Sequence, residues 1–287
     1  MTQAVAAAQT DTVRNLQRIC ELVRSDVIET LGYVGSGHSG PSLSLVEAVV
    51  TLYFHEMRLK PDDPNWSDRD RFVLSKGHGA LGYYAILSRR GFFPRDELFT
   101  FESLGSRLQG HPDRLLTPGV ELSTGSLGQG LSFAVGIAIA ARMQSKDTRA
   151  YCLLGDGETQ EGNVWEAVMS AAKFRLDNLL AIVDWNGLQG GVTLDVMPSM
   201  EPYADKWKAF GWHVIDLPGH DIPALLSAYA EARQTKGRPT VVIARTVKGK
   251  GVSFMEGDPN WHAGVLKGEQ LEQARREVAE RLRALEG

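Results

Sequence analysis

The sequence predicts an α/β fold: a doubly wound, mainly parallel sheet with helices on both faces. Three observations predict it. Short apolar runs rich in Val, Ile and Leu, at 71–75, 151–154, 179–184, 212–217 and 240–245, alternate with segments of helical period. The 30 glycines fall mainly where one kind of run gives way to the other. The chain has 287 residues, is 43% hydrophobic and shows no internal repeat or low-complexity linker, which suits one domain spanning residues 1–287.

Each element has its own signal. Residues 11–34 carry Leu16, Ile19, Leu22, Val23 and Ile28 at helical spacing, and Gly32 and Gly35 are expected to end that helix. The loop GSGHSGPS follows, then a helix from Leu43 to Met57 capped by Ser42. PDDPNWSDRD reads as a surface loop, RFVLS as the first strand, and KGHGA as a turn into a helix ending near Gly91. Residues 95–120 are expected to be irregular. TGSLGQG at 124–130 leads into the apolar helix LSFAVGIAIAARM. Further helices are expected near 161–174, 202–210 and 221–233, between the later strands. A charged amphipathic helix closes the chain over 267–287 and is expected to lie on the surface.

Composition excludes several classes. A net charge of −4 forces no basic surface, so no nucleic-acid partner is expected. No run of 18 apolar residues exists, so no membrane partner is expected. The N-terminal MTQAVAAAQTD lacks the pattern of a secretory signal, and Cys20 and Cys152 have no metal or redox spacing. Two reduced thiols in a cytoplasmic protein are the simplest reading. GSGHSG at 35–40 spells G-x-G-x-x-G, but a helix precedes it where dinucleotide binding requires a strand.

Five histidines stand in turns: His38, His78, His111, His220 and His262. Four lie in segments expected to gather at one sheet edge, where imidazoles bind phosphate, orient hydroxyls or move protons. His220 is expected to be structural or surface-lying, and none has zinc spacing. The most informative run is GDGETQEGNVWEAVMSAAKFRLDNLLAIVDWNGLQ at 155–189. It reads as the tip of one strand, a tight turn, a helix, a second strand and an asparagine. Asp156 and Asn186 are thereby placed at the C-terminal tips of adjacent parallel strands, where open α/β sheets take ligands. The turn feeds a helix N-terminus that attracts phosphate, and a carboxylate with an amide oxygen makes a hard-oxygen site for Mg²⁺, with Ca²⁺ or Mn²⁺ as substitutes. The 28 residues between Gly157 and Asn186 resemble the GDG…N fingerprint of thiamine diphosphate proteins.

Six pieces in order resemble the N-terminal half of transketolase: SGH at 36–38, LSKGHGA at 74–80, GHP at 110–112, TGSLGQG at 124–130, GDGETQEG at 155–162 and DWNGLQ at 184–189. The resemblance implies the diphosphate-binding (PP-type) domain of the thiamine diphosphate-binding fold. It implies Mg²⁺ ligation by Asp156, the Asn186 side chain and the Leu188 carbonyl. Cofactor contacts are implied for His78, Gly125, Ser126, Leu127, Gly155, Asp156, Gly157, Glu158, Asn186 and Leu188, and catalytic roles for His38, His78, His111 and His262. Glu161 and Glu166 resemble carboxylates at a subunit contact. Three departures are visible. Ser126 replaces a proline of the family pattern, SGHSG carries its proline later at Pro41, and His262 stands alone where full-length members have two histidines.

Full-length members also carry a pyrimidine-binding domain, whose glutamate activates the cofactor, and a C-terminal domain; nothing here resembles either. The resemblance therefore implies the N-terminal subunit of a split transketolase, active with a second chain in a heterotetramer of two plus two. It would transfer a two-carbon ketol unit from a ketose or ketose phosphate to an aldose or aldose phosphate. The alternatives are another thiamine diphosphate enzyme (a 2-oxo acid dehydrogenase α chain or a 1-deoxyxylulose-phosphate synthase) and a non-catalytic homologue.

Overall fold

Five parallel strands in the order β1-β2-β3-β7-β6 form the centre of the computed structural model, which describes residues 2–193 and 201–286. The ends of the expected 1–287 span, Met1 and Gly287, and its residues 194–200 lie outside that description. The strands are β1 (Arg71–Leu74), β2 (Ala150–Gly155), β3 (Leu179–Trp185), β6 (His213–Pro218) and β7 (Thr240–Arg245), each overlapping an expected apolar run. Two residues of β4 (Leu188–Gln189) and two of β5 (Val192–Thr193) add a small antiparallel hairpin that no sequence signal announces.

Alternate strand residues enter two separate cores, because successive side chains point to opposite faces. Phe72, Leu74, Tyr151, Leu153, Leu180 and Ile182 face one layer. It is built by α1 (Thr2–Val34), α2 (Ser39–Ser44), α3 (Val46–Thr51), α4 (Ala80–Arg90) and α8 (Ile222–Gln234). Val73, Cys152, Leu154, Ala181, Val183 and Ile243 face the other, built by α5 (Gly130–Met143), α6 (Gly162–Lys173) and α7 (Tyr203–Ala209). Burial on both faces explains why β2 and β3 read as continuous apolar runs, whereas the run at the edge strand β6, which is partly exposed, is interrupted by Asp216. Among the described residues no helix is long and apolar enough to cross a membrane.

Two local expectations need correction. The first helix begins at Thr2 and runs through Gly32. A β-carbon at Gly32 would lie 2.7 Å from Leu271, so this glycine permits close helix packing and terminates nothing. The helix expected over 43–57 begins earlier, at Ser39 after His38, breaks at Leu45 and ends in a wide turn over Leu52–Glu56. Ser42 is inside it, and its buried hydroxyl caps nothing. The last helix, α9 (Gly268–Glu286), lies on the surface, as its charged amphipathic pattern predicts. It packs antiparallel on α1, with Ala274 and Val278 buried, Arg275 paired to Glu29 and Arg281 to Glu21.

Candidate active site

The C-terminal ends of β1, β2, β3 and β7 open into a cavity of about 290 Å³. His38, His78, His111, Gly125, Leu127, Gly155, Asp156, Gly157, Glu158, Asn186, Leu188 and His262 all line it. The strand order creates this meeting. β2 delivers Gly155–Asp156, its neighbour β3 delivers Asn186 one residue past its end, and Gly155 is in register with Asp184. Ser126 is exposed and outside the lining. Glu161 and Glu166 are also exposed, at the start of α6 and one turn into it.

The Asp156 carboxylate is held by backbone donors. Its Oδ1 accepts Gly157 N–H at 2.8 Å, and its Oδ2 accepts Asn186 N–H at 2.8 Å and Gly187 N–H at 2.6 Å. Burial first, and the nearby Asp184 second, push its pKa up to about 6 despite those donors. The site thus holds a carboxylate short of positive charge. Among the described residues no three His, Cys, Asp or Glu side chains form a metal cluster. The expected donor set of one carboxylate, one amide oxygen and one carbonyl would need outside oxygens to complete a shell.

Glu158 is already occupied by the protein. Its Oε1 accepts from the Ser75 hydroxyl and from Gly128 N–H at 2.9 Å, and its Oε2 accepts Gly155 N–H at 2.9 Å. It ties the TGSLGQG loop to the tip of β2. Gly77 is pressed against the same loop: a β-carbon there would lie 2.7 Å from Thr124 Oγ1 and 2.8 Å from Gly125 N. Gly157 faces Gln189 as closely, with 2.8 Å to Cγ from a β-carbon.

Four histidines cluster in the same cavity. Ring centroids lie 5.3 Å apart for His38 and His262, 5.2 Å for His78 and His262, 5.6 Å for His38 and His78, and 6.0 Å for His38 and His111. Burial, reinforced by Lys76 and the other rings, lowers His78 to about 2. Burial and Lys248 lower His262 to about 4, and burial with His111 lowers His38. These three rings are neutral near pH 7. His38 Nδ1 is buried with no hydrogen-bond partner among the described residues, an unmet polar atom on the cavity wall.

Two lysines complete the wall. Lys76 stands in LSKGHGA and is buried against Asp184, with further bonds to Pro41 O at 3.1 Å and Ser44 Oγ at 3.2 Å. Burial opposes ionisation of Asp184, but Lys76 and the Ser44 and Thr246 hydroxyls outweigh it and hold the carboxylate below its usual range. Lys248 follows β7 in a loop with no motif to flag it. It donates to Gly190 O and to His262 Nδ1, both at 2.9 Å. Burial and the Lys76 charge lower its pKa to about 8.

Residues 15–281 match the family described as the transketolase thiamine diphosphate binding domain. The chain belongs to that family. Transketolase relatives fall into two length classes. An apulose-4-phosphate transketolase subunit from Phocaeicola vulgatus is 42% identical over 274 residues, covering 96% of this chain and 97% of that protein. The 6-deoxy-6-sulfo-D-fructose transketolase subunit SqwG of a Clostridium species is 44% identical over 244 residues, covering 85% of this chain and 88% of that one. The solved transketolase from Leishmania mexicana superposes with a TM-score of 0.86 at 31% identity, covering 95% of this chain but 43% of that one. The transketolase fold is therefore present here as its N-terminal part, and this chain is similar along nearly its whole length to separately encoded transketolase subunits.

Proposed function

We propose that the chain, as one diphosphate-binding domain, is the N-terminal subunit of a thiamine diphosphate-dependent transketolase. It moves a two-carbon ketol unit from a ketose to an aldose. The observation that carries this reading is the Asp156–Asn186 pair at adjacent strand tips, lining one cavity together with four clustered histidines. The residues suit the cofactor. A buried carboxylate short of positive charge, the Asn186 amide oxygen and the Leu188 carbonyl would hold Mg²⁺ through oxygen, which would supply positive charge for a bound diphosphate. Gly157, at the turn before α6, lines the cavity beside these groups, and Lys248 supplies positive charge to it.

Bound thiamine diphosphate supplies the carbon that takes up and passes on the ketol unit. The histidines supply the proton handling. Because His38 and His78 are neutral, each carries one accepting and one donating nitrogen, as moving hydroxyl protons of a sugar requires, whereas His262, whose Nδ1 accepts from Lys248, offers its Nε2–H as a donor. His38 Nδ1, without a partner among the described residues, is placed to bind a sugar hydroxyl or the cofactor. Names of the relatives support a ketose bearing phosphate or sulfonate as donor class.

The partner is a second chain carrying the pyrimidine-binding and C-terminal domains, in a heterotetramer of two plus two with Glu161 and Glu166 at the subunit contact. Coverage of nearly all of the Phocaeicola relative, against under half of the Leishmania enzyme, supports it. A cytoplasmic location agrees with two buried, unpaired cysteines. The test measures ketol transfer by this chain alone, by the partner alone and by both, with thiamine diphosphate and Mg²⁺. Turnover only in the mixture is expected, and turnover by this chain alone would overturn the split assignment.

A further inference from the structure

Behind the active site, on the far side of the loop after β7, lies a second cavity of about 320 Å³. Cys20, Glu21, Arg24, Glu47, His220 and Arg281 contribute to its wall. Its charges are spent on one another. Arg24 pairs with Glu21 at 2.8 Å and with Glu47, and Arg281 pairs with Glu21 at 2.9 Å. What the network has left over points at the loop. His220 Nε2 accepts Val247 N–H at 2.8 Å, Arg24 Nε donates to Lys250 O at 3.1 Å, and Arg281 donates to Gly251 O. Three side chains from three elements thus hold the backbone of residues 247–251, on either side of Lys248.

The His220 ring has its tautomer fixed. Nε2 receives a proton from the backbone, so it carries none, and Nδ1–H donates to Glu47 Oε2 at 2.8 Å. Burial works against an ionised Glu47, but Arg24 and His220 outweigh it and bring its pKa down to about 2, so the acceptor is permanently charged. The ring cannot turn without losing both bonds.

Lys248 carries the constraint into the catalytic cavity. An ammonium has only donors, so His262 Nδ1 must accept from it, leaving the His262 proton on Nε2. We propose that His220 is a positioning residue for the active site: by gripping Val247 N–H it fixes Lys248, and through Lys248 it sets the tautomer of His262. The claim rests on the transketolase reading only for the use made of His262. The bonds themselves require no cofactor.

The test uses the full chain, labelled with ¹⁵N and without cofactor, and reads two signals: amide exchange at Val247 and the ring-nitrogen shifts of His262. His220→Phe is expected to speed Val247 exchange about tenfold and to convert His262 from one tautomer to a mixture. His220→Gln keeps an acceptor for Val247 and a donor for Glu47, and is expected to restore both signals. Lys248→Met is expected to leave Val247 protected while freeing the His262 tautomer, which keeps the claim testable if His220→Phe does not fold. An unchanged His262 tautomer in either His220→Phe or Lys248→Met overturns the proposal, as does failure of His220→Gln to rescue. Calorimetry of the wild type with thiamine diphosphate and Mg²⁺ tests the cofactor reading separately.

Discussion

Asp156 Oδ2 accepts the backbone N–H of Asn186 at 2.8 Å, tying the tip of β2 to the end of β3. The bond crosses neighbouring parallel strands whose register puts Gly155 opposite Asp184. It sets the two residues nearest the expected metal at a fixed separation before any ligand arrives. Preorganisation of this kind lowers the entropy lost on binding.

Stability of the uncomplexed chain should fall in acid because of His78. Its pKa is 6.5 when unperturbed and about 2 in the fold, so the unfolded state takes up a proton that the folded state refuses. Stability is fully present above pH 6.5 and declines as pH drops toward 2. At pH 5 the loss from this one ring is about 2 kcal/mol. Urea denaturation at pH 7 and pH 5 should show the wild type losing about that much more than His78→Asn. Equal losses in the two proteins would contradict the linkage.

The buried pair Lys76–Asp184 should be costly to break and cheap to replace. Lys76→Met leaves the Asp184 carboxylate uncompensated inside the protein and should destabilise by about 3–5 kcal/mol. Lys76→Met combined with Asp184→Leu removes both charges and should recover much of that loss. Denaturation midpoints of the two single variants and the double variant measure the coupling. Additive losses would mean that the pair is not coupled.

Gly77 should tolerate no side chain. Gly77→Ala drives a methyl into Thr124 Oγ1 and Gly125 N, displacing the loop beside the cavity. A stability loss of about 1–3 kcal/mol is expected, with weakened cofactor binding. Gly136→Ala on α5 meets nothing within 4 Å and is the control, expected to hold or raise the melting temperature. The contact is refuted by a Gly77→Ala protein that melts and binds like the wild type.

Lys248 should be modifiable near pH 8, because its pKa is about 8. An amine-directed reagent at pH 8 should reach it only through the cavity, since the residue is 2% exposed, with sites read by mass spectrometry. Thiamine diphosphate with Mg²⁺ should slow that modification by covering the cavity. Equal rates with and without cofactor would remove Lys248 from the site.

Much of this arrangement was legible because parallel sheets buried on both faces leave apolar runs, and each of the five central strands lies where such a run predicts. Asp156 and Asn186 were legible because GDG…N spacing marks strand ends, and the four histidines because they stand in Gly- or aromatic-flanked turns. Lys248 was not, since its loop joins the site through tertiary contacts that no local pattern encodes. Gly32 misled for a related reason. Glycine at a helix end and glycine under a crossing helix look alike until Leu271, far along the chain, is seen lying on it. The break at Leu45 was hidden because the apolar period continues across it, into α3.

The account turns on Asp156, and one measurement addresses it most directly. Thiamine diphosphate with Mg²⁺ is titrated calorimetrically into this chain assembled with its partner, as wild type and as Asp156→Ala. Saturable binding by the wild type, and its loss in the variant while the assembly stays intact, is the predicted result. Binding of equal strength in both proteins would contradict the assignment of the site.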